Sequence, residues 1–486
     1  MVMAADDRTR RDWLWELAAL ATALIGVAVR CMSWGQTFAG GQVIPPGTDP
    51  YYHLWRAEML VEHFPHLPLF DPYICFPAGA AIPWPPGFDF LVALPGLLAG
   101  NAALVAPWGA AMMPLLGGLA VYLVYRLGKR VFDPATGLAA AALMALMNGA
   151  IGFSFVGRVD HHGLVAPVVL GIYLCLLASL EARTRKSAVA WGVACGLLAA
   201  VSVGSWIVTP ALYFLPVPLT LALARWSRHK EHLCPSAWST MLAALCLVSL
   251  VVLLCADLRA RPFALYQPSL FTVLLFTAAA AGVLPLLYRP RVLLVTWGAM
   301  LAGLVLLTLL VDGFWDPLIE AAGVAAGSDV SYLIARESAK LYTRGEMLAL
   351  SYTAARYTNL FLLTPVMILA FVYEVVRSRD LRPGKVLLAV FFPWALFLLL
   401  LQQRFGEYAA PAVALLMAWA VVAGARKFRA FWRVAASRLR AWLWAVLLVA
   451  GLLLALSPLV TYLFHLAGAD QVSYLRQLNF FGQSLA

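Results

Sequence analysis

Residues 13–34 read WLWELAALATALIGVAVRCMSW, an apolar run interrupted only by Glu16 near its start and Arg30 near its end. As a helix rising 1.5 Å per residue it reaches roughly 33 Å, enough to cross a hydrocarbon core of about 30 Å. Arg8, Arg10 and Arg11 precede it. The run is too long for a removable signal peptide and lacks a small-residue cleavage site, so the sequence predicts a retained first span entered from the cytoplasmic side. Runs of this kind recur along the chain, near residues 103–126, 135–153, 164–182, 187–205, 208–224, 238–256, 268–288, 291–311, 350–376, 386–402, 408–424 and 441–464. With the first they make thirteen predicted crossings. The composition agrees: 63% of the 486 residues are hydrophobic, 12% are charged, and the mean hydropathy is +0.83. That excludes a single soluble domain, and long apolar runs without alternation point to an all-α bundle instead of a barrel.

The net charge of +11 does not call for a nucleic acid. Most of the Lys and Arg cluster in loops that the thirteen-span topology puts on the N-terminal side, such as Arg126/Lys129/Arg130, Arg377/Arg379/Arg382/Lys385 and the run from Arg426 to Arg440. This is the positive-inside pattern, with some attraction to anionic membrane lipids. The seven cysteines show no ligand spacing, and most fall in or beside apolar runs, so neither a disulfide framework nor a zinc site is expected. The topology places the chain in a plasma or inner membrane, with the N-terminus cytoplasmic and the C-terminal tail, residues 465–486, external or periplasmic.

One transmembrane unit of residues 1–486 then leaves two long external segments, residues 35–101 and 311–348. Ten prolines from Pro45 to Pro86 break the first into irregular structure suited to a lid. Its apolar end, Phe88 to Leu98, is too short and too rich in flanking Pro and Gly for a span, and reads as interfacial or re-entrant.

Four polar clusters face that same side. Asp49, in GTDPYYH (residues 47–53), is either a ligand or the cap of an Asx-type turn before Pro50. Arg158, Asp160, His161 and His162 sit between two apolar spans. In an extended turn Asp160 and His162 point the same way and could share a divalent ion, though Asp160 could also cap the following helix. Glu337 lies in the second long loop, either as a functional acid or as a solvated charge. Arg404, in QQRFGEY (residues 402–408), is placed to bind phosphate or to snorkel to the interface. Ionisable groups gathered at one membrane edge mark a site.

These same residues carry a resemblance to the catalytic subunits of oligosaccharyltransferases, members of the GT-C glycosyltransferase superfamily. Asp49-Pro50-Tyr51-Tyr52-His53-Leu54-Trp55-Arg56 resembles the first acidic motif, and Phe70-Asp71 with Phe76-Pro77-Ala78-Gly79 a downstream signature. Asp160-His161-His162 resembles the second acidic motif in its archaeal form. Glu337 resembles the glutamate of a third motif, with Ile334 and Ala335 departing from it, and Arg404-Phe405 with Tyr408 and Pro411 resembles the donor-phosphate segment. The resemblance implies a GT-C-like bundle holding a divalent metal, Mn²⁺ or Mg²⁺, between Asp49, Asp160 and His162. Asp49, Asp160 and Glu337 would be catalytic, Arg404 and Tyr408 would bind the donor phosphate, and His161, Arg158, Tyr51 and Arg56 would support them. The implied reaction inverts a sugar as it leaves a polyprenyl (pyro)phosphate carrier. Members that glycosylate asparagine carry a W-W-D-Y-G motif in a soluble C-terminal domain. No such motif follows the last apolar run, which leaves the acceptor open among protein, lipid and glycan. Two other classes fit the composition: a transporter or flippase, against which the one-sided acids and the lack of an inverted repeat argue, and a non-catalytic subunit of a glycan assembly complex.

Overall fold

The computed structural model describes residues 2–451, apart from 67–68, 207–212, 214, 228–230, 257, 259–261, 266, 289, 327–342, 345–346, 349–352, 354–355 and 435–441. It is helical almost throughout. In chain order the main helices are α1 (Val2–Arg30), α2 (Asp49–His63), α3 (Gly87–Ala99), α4 (Val105–Val131), α5 (Pro134–Leu146), α6 (His162–Leu180), α7 (Arg185–Ser205), α8 (Pro216–Leu223), α9 (Leu233–Cys255), α10 (Leu270–Tyr288), α11 (Pro290–Leu310), α12 (Asp316–Ala326), α13 (Thr364–Ser378), α14 (Pro383–Leu401) and α15 (Gly406–Val434).

Among the described residues nine helices are long and apolar enough to cross a membrane. Two of them show Leu254 and Leu369 on their outer surfaces, and the shorter apolar helix Leu294–Leu310 shows Leu294 and Leu309, each more than 70% exposed, which is tolerable only against lipid. The chain is an integral membrane protein. The predicted crossing at 135–153 shortens to α5, because Met147 turns extended and a separate turn, Asn148–Ile151, follows it. Thirteen residues rise only about 20 Å. The described apolar part of α11 is Leu294–Leu310, α8 is described only from Pro216, and the last crossing is described only over Trp442–Gly451. Glu337 and the tail 465–486 lie outside the described residues.

Small residues set the helix spacing. On α7, a Cβ at Gly196 would come within 2.6 Å of the Ala244 nitrogen of α9. Ser236 of α9 donates its hydroxyl to the Ser179 carbonyl of α6 at 2.9 Å. Close backbone approach through small side chains is the usual way helices associate where lipid removes the hydrophobic drive. Gly128 of α4 and Gly137 of α5 meet in the same manner.

The two ends of the bundle differ. At one end charges pair between helices: Lys129 with Glu16 at 3.0 Å, Arg130 with Glu181 at 2.8 Å, and Arg426 with Asp133 at 2.9 Å. At the other end α1, α5, α7 and α14 finish and α6 and α15 begin, so the segments after Arg30, Leu146, Ser205 and Leu401 converge. There α2 and α3 pack on each other and on α4 without crossing. The segment read as interfacial is therefore α3, a 13-residue helix ending at Gly100 with left-handed φ of +63°, the usual glycine helix stop.

Candidate functional site

The turn before α6 is built from backbone contacts. Val156 N–H donates to the Arg30 carbonyl at 2.9 Å, and Gly157 N–H to Ala110 at 3.1 Å. Gly157 has φ of +81°, and a Cβ there would crowd Thr37 and Pro46, so glycine is required both by its dihedral and by space. Arg30 ties α1 to the same turn: its Nε donates to Ser154 Oγ at 2.8 Å, and its Nη1 to the carbonyls of Gly26 and Ala145 at 2.9 and 3.2 Å.

Asp160, His161 and His162 follow, all nearly fully buried. Asp160 Oδ1 accepts the His162 backbone N–H at 3.2 Å and lies 3.2 Å from His161 Nδ1. Its Oδ2 faces Arg158 Nη2 at 3.5 Å and, among the described residues, accepts no hydrogen bond. Burial alone would raise the Asp160 pKa, but His162, His161, Arg158 and His53 outweigh it and hold the carboxyl well below the usual carboxylate range. Burial pushes His161 well below the ordinary histidine value; Asp160 opposes this, while His162, His53 and Arg404 add to it. These surroundings favour the ionised form of Asp160.

Two carboxylates reach this turn from other helices. His162 Nδ1 meets Glu407 Oε1 of α15 at 2.5 Å, both side chains at most 5% exposed. His53 Nδ1 of α2 meets Asp89 Oδ1 of α3 at 2.6 Å, and Asp89 Oδ2 lies 2.8 Å from Arg56 Nη1. His53 Nε2 then sits 3.1 Å from His161 Nδ1. Trp206, just after α7, packs its ring on His162 with centroids 4.9 Å apart, and Phe405 packs on Trp206. Arg30, His162 and Glu407 line one small cavity of about 10 Å³, room for one water.

Three of the four sequence clusters thus come to one end of the bundle, and the fourth, Glu337, is outside the described residues. Within them the grouping differs from the expected one. The described residues whose ligand atoms all lie within 4.8 Å of one another are His53, Asp160 and His161, whereas the expected trio was Asp49, Asp160 and His162. His162 instead turns its Nδ1 to Glu407. Asp49 is part-buried as the first residue of α2, its Oδ1 3.3 Å from the Thr48 hydroxyl, one helical turn before His53. Arg404 lies in the 3₁₀ turn between α14 and α15, close enough to act electrostatically on His161. Tyr408, expected at the phosphate, is fully buried with its hydroxyl 3.0 Å from that of Tyr173. Arg158 faces Asp160, Arg56 serves Asp89, and Tyr51 is 53% exposed.

His53, Asp89, Trp206 and Glu407 were given no role from sequence. For Asp89 the signal was present, an acid inside the apolar run Phe88–Leu98. Trp206 carried none.

The donor set fits a divalent cation. One carboxylate and two imidazoles suit such ions, and Asp160 also keeps a buried oxygen, Oδ2 facing Arg158, that accepts no hydrogen bond among the described residues. Two neighbouring ligands at about 2.1 Å from one ion stand about 3.0 Å apart at a right angle and about 3.4 Å apart in a tetrahedron. The edges His53–His161 and His161–Asp160, 3.1 and 3.2 Å, fall in that interval.

Fold and site together define a polytopic helical membrane protein with a buried acid–imidazole cluster where its helices end at one membrane edge. The family model described as "Oligosaccharyl transferase STT3, N-terminal" matches residues 22–343, and the chain belongs to this family. Among curated proteins it is similar to dolichyl-phosphooligosaccharide-protein glycotransferase 1 of Archaeoglobus fulgidus, 32% identical over 193 residues, which is 39% of this chain and 30% of that protein. Glycotransferase 2 of the same organism is 30% identical over 202 residues, 41% of this chain and 30% of the relative. Among solved structures, the A. fulgidus oligosaccharyltransferase AglB in complex with an inhibitory peptide and a dolichol-phosphate superposes with a TM-score of 0.72 at 20% identity. The match covers 92% of this chain and 55% of that one. The A. fulgidus oligosaccharyltransferase in complex with Zn and sulfate gives 0.66 at 22%, over 91% and 52% of the two chains. The chain thus spans about half the length of the solved relatives, and its matches cover 30% of these curated ones.

Proposed function

We propose that this chain is a metal-dependent inverting glycosyltransferase that moves a glycan from a polyprenyl (pyro)phosphate donor to an acceptor at the external membrane edge. The observation that carries the reading is the buried cluster of Asp160 and its imidazoles beside the charge of Arg404, within a fold shared with an enzyme that binds dolichol-phosphate. The site end is opposite the end rich in Lys and Arg, which supports an external placement.

In the reaction the bond between the anomeric carbon and the phosphate oxygen breaks, and the phosphate leaves with the electron pair. The acceptor nucleophile loses its proton as it bonds to the opposite face of that carbon. Asp160, ionised and buried, would hold the divalent cation with the imidazoles beside it. The cation, once bound, supplies positive charge for the departing phosphate oxygens. Arg404 supplies a second, permanent charge with planar donors suited to phosphate. Trp206 and Phe405 wall the cluster and exclude water, which strengthens each of these interactions. Asp49, at the start of α2, and Glu337 are assigned to orient the acceptor nucleophile. Residues 35–101 form the lid and residues 311–348 the second loop of the site.

The test is release of polyprenyl phosphate by detergent-purified protein given a polyprenyl-pyrophosphate oligosaccharide and Mn²⁺, with peptide, lipid and glycan acceptors supplied in turn. Asp160→Asn should lower turnover by about 100-fold or more, and chelation should do so reversibly. Wild-type turnover by a normally folded Asp160→Asn protein would refute the assignment.

A further inference from the structure

We propose that a groove between α7 and α9, at the membrane edge opposite the acid–imidazole cluster, binds one anionic phospholipid of that leaflet, independently of the cation site.

The two helices run parallel. Gly192 of α7 faces Ser239 of α9, Gly196 faces Ala243, and Gly204 faces Val251, a constant offset, so both helices enter from the end rich in Lys and Arg. Glycine lets the two backbones meet, and the larger residues beside the contact stand up as the walls of a groove of about 780 Å³. Arg185, Val189 and Val193 form one wall, four apart along a single face of α7. Trp238 and Cys246 of α9 line the other, with His232 just ahead of that helix.

The length of the groove selects its occupant. From Leu233 to Cys246 the helix rises roughly 20 Å, about the depth of one leaflet with its headgroup region. On α7 the lining ends at Val193. A partner helix that crosses the membrane would need a face of about 30 Å, whereas a lipid of one leaflet needs no more than this.

Charge selects the class of lipid. Arg185 stands exposed at the mouth and has no ion-pair partner among the described residues, and Arg183 and Lys186 are exposed beside it. His232 brings a buried Nε2 that has no hydrogen-bond partner among the described residues. Other basic groups of this end are already committed, Lys129 to Glu16, Arg382 to Asp380 and Arg426 to Asp133. Glu231 is the one acid among the described residues lining the groove, and Glu181 nearby is held by Arg130. The remaining positive excess, at headgroup depth, favours a phosphate without a compensating amine, and guanidinium donors fit its oxygens. Below the mouth Val189 and Val193 are exposed and apolar, as acyl chains require. Trp238, half-exposed near the mouth, sits where indole rings gather at a membrane interface.

The experiment uses the full chain, purified in detergent and stripped of lipid, with phosphatidylglycerol, phosphatidylethanolamine and phosphatidylcholine titrated in turn and bound lipid counted by native mass spectrometry. One phosphatidylglycerol should be retained more tightly than either zwitterionic lipid. Arg185→Gln should weaken that binding about fivefold. His232→Phe, which keeps a ring and removes its nitrogens, should weaken it roughly two- to tenfold. Val193→Trp, which fills the apolar part, should weaken all three lipids, whereas Arg377→Gln, an exposed charge at the same end outside the groove, should change nothing. Arg185 and Val193 are exposed, so both variants should fold. Equal retention of the three lipids overturns the proposal, as does tighter binding of phosphatidylethanolamine. So does wild-type retention of phosphatidylglycerol by both Arg185→Gln and Val193→Trp. A stable dimer that Val193→Trp dissolves would also overturn it, by giving this face to a second copy of the chain.

Discussion

Substituting Glu407 separates the charge of a buried pair from its volume. Its Oε1 stands 2.5 Å from His162 Nδ1, with side chains 3% and 5% exposed, so no water replaces a lost partner freely. Glu407→Gln keeps the volume and an accepting oxygen but removes the charge that roughly doubles such a bond, a cost of about 1 kcal/mol. Glu407→Leu keeps most of the volume and removes the acceptor, stranding the imidazole N–H at a cost of about 1–3 kcal/mol. Alanine would add a cavity term and blur the comparison. Chemical denaturation in mixed micelles should therefore rank wild type above Gln and Gln above Leu. Metal titration of the same proteins should show the same order, since a loosened His162 disturbs the turn that carries Asp160. A Leu variant as stable as wild type would refute the reasoning, as would a Gln variant as damaged as Leu. The first result would mean that the pair contributes packing and not a hydrogen bond, and the second that its whole contribution is the charge.

Asp133 caps α5 by accepting from the Thr136 N–H and hydroxyl, and it pairs with Arg426. Asp133→Ala should cost about 1 kcal/mol, measured by denaturation near neutral pH. Burial alone would raise the Asp133 pKa, but the Thr136 and Arg426 contacts leave it lowered. Its contribution is therefore present above the ordinary carboxylate value and lost as pH falls through the folded value, so variant and wild type should converge in acid. Gly137→Ala would place a Cβ within 2.6 Å of the Tyr125 carbonyl and 2.7 Å of the Lys129 nitrogen. Forcing α4 and α5 apart should cost about 1–3 kcal/mol, whereas Gly424→Ala, inside α15 with nothing within 4 Å, should be stabilising by up to about 1 kcal/mol in the same denaturation.

The membrane class and the one-sided site were legible because both rest on local chemistry. Apolar runs of span length announce themselves, and Asp160-His161-His162 or Arg404 stands out between such runs. The side-chain contacts inside the site were not legible, because they depend on which way side chains turn at the helix ends. His161 and His162 are adjacent, and spacing together with the family resemblance selected His162 as the ligand. The structure turns His162 toward Glu407, 245 positions away, and His161 toward His53, 108 positions away. No periodicity carries such pairings. The crossing read at 135–153 was misjudged in extent for a related reason: hydropathy continues through Met147, but the backbone there leaves the helix.

The arrangement also shows how a bilayer protein can hold so many ionisable groups without a prohibitive penalty. Charged residues are costly at the hydrocarbon centre and tolerable at its edge or inside protein. Here each buried group is answered by a residue on another element: His53 of α2 by Asp89 of α3, His162 of α6 by Glu407 of α15, and Arg30 of α1 by Ser154 in the turn before α6. Every such contact spans two elements, so the interactions that satisfy the charges also fix where α1, α2, α3, α6 and α15 stand relative to one another. Asp160 lies among these contacts with one oxygen that, among the described residues, accepts no hydrogen bond. A rigid frame of paired charges around a buried carboxylate is what a preorganised cation site requires, whereas packing alone would have favoured apolar residues at each of these positions.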